Sequence, residues 1–439
     1  MPGWEWDSGG AAVMAYRQWK RHSPLLYDLL VNHNLVHPSP CFRWGHLLSE
    51  DSSFVVQRVY YSERGAAPNS IVVANAKIAR PRTSDPMKVD KWEDNSASLN
   101  ISTLFRINTP QKTEVNKIYT IPHNKNTLVT KSDLSSLHLF DISTTTTSNS
   151  QNQRPSATLT GHEEEACESN FALDTGSQQP WVLSGDKNGV ILLWDIEANV
   201  RAGGGGQPEV NYVQKFQGHT ETVEDVCFRP DSSNEFCSVG DDQKLLFWDA
   251  RSKLTPVQEA PKWCTVDLHC VDWNQEQLDL LVTGDANGAT VVFDRRKMSG
   301  PNGESTPLYS LHYHEEGVYR VGWLPKSTKH FASGGEDSSL FIWDLDRVGA
   351  PRTEPLVDGH GGGPPEVIFK HSGHRGSVQD LQWNPTLPWV MGSVSEDAGW
   401  AMGGGTMQLW RPLDFLYHSD DTSVMEIEKL QSDMKGAME

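Results

Sequence analysis

The sequence predicts an all-β fold, a seven-bladed β-propeller with an N-terminal α-helix, on three observations. The stretch GHTETVEDVCFRPDSSNEFCSVGDDQKLLFWDAR (218–251) opens on Gly-His and closes on Trp248-Asp249, with three short β-patterned runs between turn residues. One such unit cannot bury both faces of its small sheet and implies neighbours of its own kind. Its spacing then recurs: Asp242, Ser238 and His219 stand six, ten and twenty-nine residues before Trp248, and Asp337, Ser333 and His314 stand likewise before Trp343. Finally, 439 residues with 16 Trp suit one ring of seven four-stranded units that each place an aromatic at a fixed position.

The other units keep the spacing with substitutions. Trp194 has Asn188 and Ser184 at the same offsets, with Gly161-His162 three residues further back. Phe293 has Asn287, Thr283 and Cys264, and Phe140 has Leu134, Thr130 and Gln111. In the final unit Ser393 and Asp397 keep their separation, while AGWAMGGG displaces Trp410. A period of 40 to 45 residues with GH and WD marks is the signature of WD40 blades. His219, Ser238 and Asp242 have the composition of a nucleophile, base and orienter, but a set that recurs blade after blade is read as structural, its members bonding one another and Trp248. No G-x-S-x-G elbow accompanies it.

Composition excludes several roles. Against 38 Lys+Arg stand 57 Asp+Glu, a formal charge of −19, which disfavours direct nucleic-acid binding and favours basic partners. Six scattered Cys without a C-x-x-C pair predict a reducing compartment and no metal site. The absence of a long apolar run or leader predicts a soluble intracellular chain that needs no membrane. No cofactor is expected.

Along the chain, residues 1–12 are Gly-rich and read as a flexible N-terminus. Residues 13–40 read as the N-terminal helix, with Ser23-Pro24 as a capping signal and Leu25, Leu26, Leu29 and Leu30 as an apolar stripe that docks on the propeller or walls a groove. Residues 41–411 are assigned to the propeller. Within it, CFRWGHLL (41–48) is expected to close the ring as the outer strand of the last blade, and 54–78 to hold two strands of a degenerate first blade. Polar stretches at 80–102, 143–156 and 202–208 read as loops. The insertion 351–372 differs because Asp358, a Gly-rich bend, Pro364-Pro365 and Glu366 lead into Val367, Ile368 and Phe369, a partly acidic second wall for a basic amphipathic helix. The tail, 412–439, is expected to be helical.

LLYDLLVNHNLVHPS, VEDVCF…GDDQKLLFWDAR, DG…GPPEVIF and GHRGSVQDLQWNPTLPWVMGSVSED together resemble the retinoblastoma-binding, MSI-type histone-binding WD40 proteins. The resemblance spans Tyr16 to Arg411, and LHCVDWN, FDRRK and the Gly-rich insert before TMQLWRPLD are closest to the plant FVE-like branch. It implies that the first helix of histone H4 lies between the N-terminal helix and the Pro-Pro loop, against Leu25, Leu26, Leu29, Leu30, Asp358, Pro364, Pro365, Glu366, Ile368 and Phe369. It further implies that the histone H3 tail, or a similar basic peptide, crosses the top of the ring over Glu114, Asn116, Phe171, Glu224, Asp241, His269, Tyr319 and Glu396. Carboxylates would pair with Arg and Lys there, and Phe171 and Tyr319 would sandwich a guanidinium.

The expected function is therefore that of a nuclear, non-catalytic adaptor. The resemblance implies membership of histone deacetylase, Polycomb-type and chromatin-assembly complexes, and repression in flowering-time and cold-response control. A second reading comes from Trp248-Asp249-Ala250-Arg251, a W-D-x-R box like that of cullin-4 ubiquitin-ligase substrate receptors, where Arg251 would face the ligase adaptor.

Overall fold

The computed structural model describes residues 7–65, 69–80, 97–109, 113–143, 145, 153–164, 171–198, 200–202, 208–252, 254–260, 263–298, 307–351, 363–397 and 404–413. Its strands form seven sheets arranged as the blades of a closed ring. Blade 1 comprises Phe42–Glu50, Phe54–Glu63, Ser70–Ala79 and Ile101–Asn108 from the ring axis outward, each antiparallel to the next. Blades 3 to 6 repeat that order, with innermost strands Leu173–Thr175, Val223–Phe228, Leu268–Trp273 and Val318–Trp323. Blade 2 starts at Val115–Ile121 and carries an added hairpin, Val200–Ala202 with Pro208–Asn211, whose second strand runs parallel to Ala157–Thr160. That hairpin leaves blade 3 and pairs with blade 2, bracing two neighbours across their outer edges.

Ring closure corrects two expectations. The outer strand of the last blade is Tyr27–Leu35, paired antiparallel with Gly405–Pro412, whereas Phe42–Glu50 is the innermost strand of blade 1. The N-terminal helix α1 is accordingly Asp7–His22; Ser23-Pro24 opens a single 3₁₀ turn, and residues 27–35 are strand rather than helix. A blade between two neighbours is apolar on both faces, so its strand carries consecutive large apolar residues that also fit a helical stripe. Leu29, Val31 and Leu35 face the cluster shared with blade 1, whereas Tyr27 and Leu30 face the cluster shared with blade 6 and α1. Helix α1 also enters the stretch expected to be a flexible N-terminus, beginning at Asp7.

A third correction concerns the Pro-Pro insertion: Val367–His371, at its end, is the outer strand of blade 6 and pairs with Leu340–Asp344. Asp358, residues 360–362 of the HGGG bend, AGWAM with the glycine after it, Gln111 and the tail from residue 414 lie outside the described residues. The stretches 80–102 and 202–208 border strands that begin at Ile101 and end at Ala202.

The recurring residues build a polar device in blades 3, 4 and 6, and part of one in blade 5. In blade 4, His219 bonds Asp242 through Nδ1 at 2.8 Å and Ser238 through Nε2 at 2.7 Å, and Trp248 donates to the Ser238 oxygen at 2.8 Å. Blade 6 repeats this with His314, Asp337, Ser333 and Trp343. In blade 3, His162 bonds Ser184 and Asp186, not Asn188; Asn188 donates its backbone N–H to Asp186 and lies in the turn. In blade 5, Asp285 takes the turn amides of Asn287 and Ala289, so Asp285 again replaces the expected Asn287. Glycines follow the Ser or Thr in three blades, and a Cβ on Gly185, Gly284 or Gly334 would meet Val223, Val318 or Val378 of the next blade within 3 Å. The S/T-Gly step therefore sets how closely adjacent blades approach.

Candidate functional site

Innermost strands line the ring axis, and the side chains at their starts face the upper end while those at their finishes face the lower. The axis is plugged midway by charge. Arg320 of blade 6 reaches Asp225 of blade 4 at 2.7 Å, Asp380 of blade 7 at 3.2 Å and donates to Tyr119 Oη of blade 2 at 2.9 Å. Arg43 of blade 1 pairs with the same Asp380 and lies 4.3 Å over the Tyr119 ring. Aspartates also bridge blades by accepting backbone N–H groups: Asp174 from Phe228, Asp225 from Val271, Asp272 from Trp323 and Asp380 from Phe42. Burial pushes Asp174 up to about 7 and Asp272 up to about 6, while Asp380 stays low because Arg43, Lys117 and Arg320 offset its burial.

Above the plug lies a pocket of about 400 Å³. Of the eight residues expected on the upper face it gathers six: Phe171, Glu224, Asp241, His269, Tyr319 and Glu396. His269 and Tyr319 lie with ring centroids 5.7 Å apart, forming an aromatic wall beside the Glu224 carboxylate. Burial, then Asp241, Asp225 and Asp267, push Glu224 up to about 8, and burial with Asp267 raises Asp241. Glu396 is already paired with Arg64 of blade 1.

The two remaining expected residues stand apart from this pocket. Asn116 is buried and donates to Asp133 at 2.8 Å, and Glu114 precedes it at the start of blade 2. Sequence reasoning missed the cationic floor, Lys117 and Arg320, and the rim residue Arg64. Their signal was available: Arg320 follows Tyr319 and Lys117 follows Asn116 on strands whose side chains line the axis.

The second candidate surface is the rim where blades 6 and 7 meet. Tyr16 and Trp19 turn inward from α1, and Trp19 donates to Tyr27 Oη at 3.0 Å, which in turn meets His371 Nδ1 at 2.7 Å. His371 stacks on Trp410 at 4.4 Å with an interplanar angle of 2°. A Cβ on Gly373 would lie 2.7 Å from the Trp19 ring, so glycine there admits the helix. Phe369 and Leu30 are interior to this cluster, and Leu29 is interior to the next one; these three support the groove from within and do not face a ligand. Leu26 and Ile368 pack on the cluster's outer side, Pro364, Pro365 and Glu366 are half-buried beside them, and Leu25 is 66% exposed. Met14 of α1 is 72% exposed and was not singled out by the sequence pattern.

The W-D-x-R box lies at the end of the third strand of blade 4. Arg251 is 63% exposed and clasps Asp249 through Nε at 3.0 Å and Nη2 at 2.8 Å. Arg296 clasps Asp294 in the same way in blade 5, which has Phe293 in place of the Trp. The hydroxyl of Ser238 is fully buried and held by both His219 and Trp248, so this Ser-His-Asp set has no approach for a substrate.

The molecule is thus a WD-repeat ring with an axial pocket lined by carboxylates and aromatic rings over a cationic floor, and an apolar rim bordered by a helix. Residues 14–80 match the family model of histone-binding protein RBBP4, or the C subunit of the CAF1 complex, and residues 210–249 and 305–344 match the WD domain, G-beta repeat. The WD-40 repeat-containing protein MSI4 of Arabidopsis thaliana is 37% identical over 442 residues, covering 95% of this chain and 85% of MSI4. MSI3 of the same plant is 29% identical over 411 residues, covering 92% of this chain and 90% of MSI3. The chain belongs to the MSI family of WD40-repeat proteins.

Proposed function

We propose that this protein is a non-catalytic histone-binding adaptor, which holds the first helix of histone H4 on the rim formed by α1 and the segment after Pro365, and the histone H3 tail in the upper pocket. The observation that carries the reading is the packing of Leu26 and Ile368 on one apolar cluster with α1, next in sequence to the exposed Leu25 and the half-buried Glu366. An amphipathic basic helix needs an apolar seat with carboxylates at its edge, and this rim supplies both. The match of residues 14–80 to a histone-binding family model supports the same assignment.

As part of this proposal the chain works in the nucleus within histone deacetylase, Polycomb-type or chromatin-assembly complexes, repressing genes that include flowering-time and cold-response loci. Asp358 would add a further carboxylate to the rim. The second reading, a cullin-4 ligase substrate receptor, rests on the exposure of Arg251 and requires adaptor binding that Arg251→Ala removes.

The rim is tested by titration calorimetry with a peptide of the H4 helix. Wild type is expected to bind in the micromolar range or tighter, and Leu25→Glu combined with Ile368→Glu is expected to weaken binding at least tenfold, about 1.4 kcal/mol. Equal affinity of the two proteins would remove the rim from the account.

A further inference from the structure

The three carboxylates of the upper pocket differ in their partners. Glu396 is paired with Arg64, and Asp241 accepts a hydrogen bond from Thr222. Glu224, among the described residues, has neither a hydrogen bond nor an ion pair and opens into the cavity. Charged and polar groups face it from every side. Asp225 on its own strand is spent on Arg320 and on the Val271 amide, and Asp241 and Asp267 approach from the blade 4 turn and from the lead into blade 5. His269 and Tyr319 wall it from blades 5 and 6, Lys117 acts on it from blade 2, and Arg320 and Arg64 line the same cavity, engaged with Asp225 and Glu396. Lys117 is itself buried and faces Asp380 and Asp225, so it is shared among several carboxylates.

A half-buried carboxylate among three others is costly while charged, and only a proton or a cation relieves it. We propose that the upper pocket takes up its cationic group in exchange for a proton: when empty it holds a proton on Glu224, and an incoming guanidinium or ammonium expels that proton and pairs with the carboxylate left behind. The proposal rests on the reading of this pocket as a basic-tail site. The balance is simple. A neutral carboxylic acid and a cation become an ion pair, and one proton passes to the buffer.

The upward shift of Glu224 to about 8 and the parallel rise of Asp241 agree with this arrangement. Linkage fixes the sign. The complex binds fewer protons than the empty protein, so affinity rises with pH below about 8 and levels off above it. Recognition of a basic tail would thereby be sensitive to pH across the neutral range.

The test is titration calorimetry of the full chain with the N-terminal histone H3 peptide at several pH values, in paired buffers of different ionisation enthalpy, for wild type and Glu224→Gln. Titration of the peptide amine is common to both proteins and cancels in their ratio. Wild type is expected to release close to one more proton than Glu224→Gln near pH 7, and the affinity ratio to grow roughly tenfold per pH unit between about 6 and 7.5 before flattening. Binding with equal proton release and equal pH slope in the two proteins would overturn the exchange while leaving the pocket a peptide site. No binding by wild type at any pH would reject the basic-tail reading and the exchange with it. Infrared difference spectra of the empty proteins add a direct readout: wild type should show the protonated-carboxyl stretch of Glu224 near pH 7, and its absence would overturn the exchange whatever the peptide does.

Discussion

At the scale of residues, stability of the ring depends on hydroxyls that accept from an indole and donate to an imidazole at once. Ser238 takes the indole N–H of Trp248 and holds His219 with no exposure to solvent. Ser238→Ala leaves the Trp248 indole N–H buried without an acceptor and the His219 Nε2 buried without a donor, a loss of roughly 2–4 kcal/mol. Denaturant unfolding should show that loss while peptide binding to the folded protein is unchanged; equal stability would contradict the tetrad account. These residues were legible because His, Ser and Trp recur at fixed offsets, and the fixed offsets reflect one hairpin geometry. The acid of the tetrad was less legible. In blades 3 and 5 the turn contains Gly189 and Gly288, both at positive φ, and the carboxylate moves two residues forward to Asp186 and Asp285. Spacing alone gave Asn188 and Asn287, since an Asn at a turn is chemically as plausible as an Asp.

At the scale of elements, the stretch from Leu25 to Leu35 shows what periodicity cannot decide. Apolar residues at 25, 26, 29 and 30 fit a helix face, and they equally fit a strand wedged between two blades. The ring resolves the ambiguity, because Gly405–Pro412 needs an outer partner and Tyr27–Leu35 supplies one. Closure by the N-terminus was readable from the sequence; which N-terminal segment closes was not, because CFRWGHLL carries an equally good strand pattern. Helix α1 then owes its position to few contacts, with Trp19 at their centre against Tyr27, His371 and Gly373. Trp19→Ala is expected to free the helix without unfolding blade 7. Hydrogen exchange should rise in residues 7–22 and remain slow in 378–383 and 391–396, whereas loss of protection in all of them would mean that the helix is part of the ring's own stability.

At the scale of the whole molecule, an acidic chain closes into a ring whose charges are sorted. Arg43, Lys117 and Arg320 are drawn to the axis, where they neutralise Asp225 and Asp380, and the carboxylates that remain are left to the upper mouth. Six of the eight upper-face positions inferred from resemblance fall in that one pocket although they come from five blades, since each sits at the start of an innermost strand or in the turn beside it. The cationic floor escaped notice because a basic residue in an acidic protein gives no signal until the topology shows where the strand faces. Glu396 was legible as a position and not as a partner, for its pairing with Arg64 joins the last blade to the first.

In the proposed function one ring carries two separate histone-facing surfaces. The most direct measurement is calorimetry of the H4-helix peptide on protein already saturated with the H3-tail peptide, and the reverse. The account predicts that each peptide binds with stoichiometry near one and that neither changes the other's affinity by more than about twofold, since the rim at α1 and the axial pocket share no residue. Competition between the two peptides, or failure of both to bind a folded protein, would contradict it.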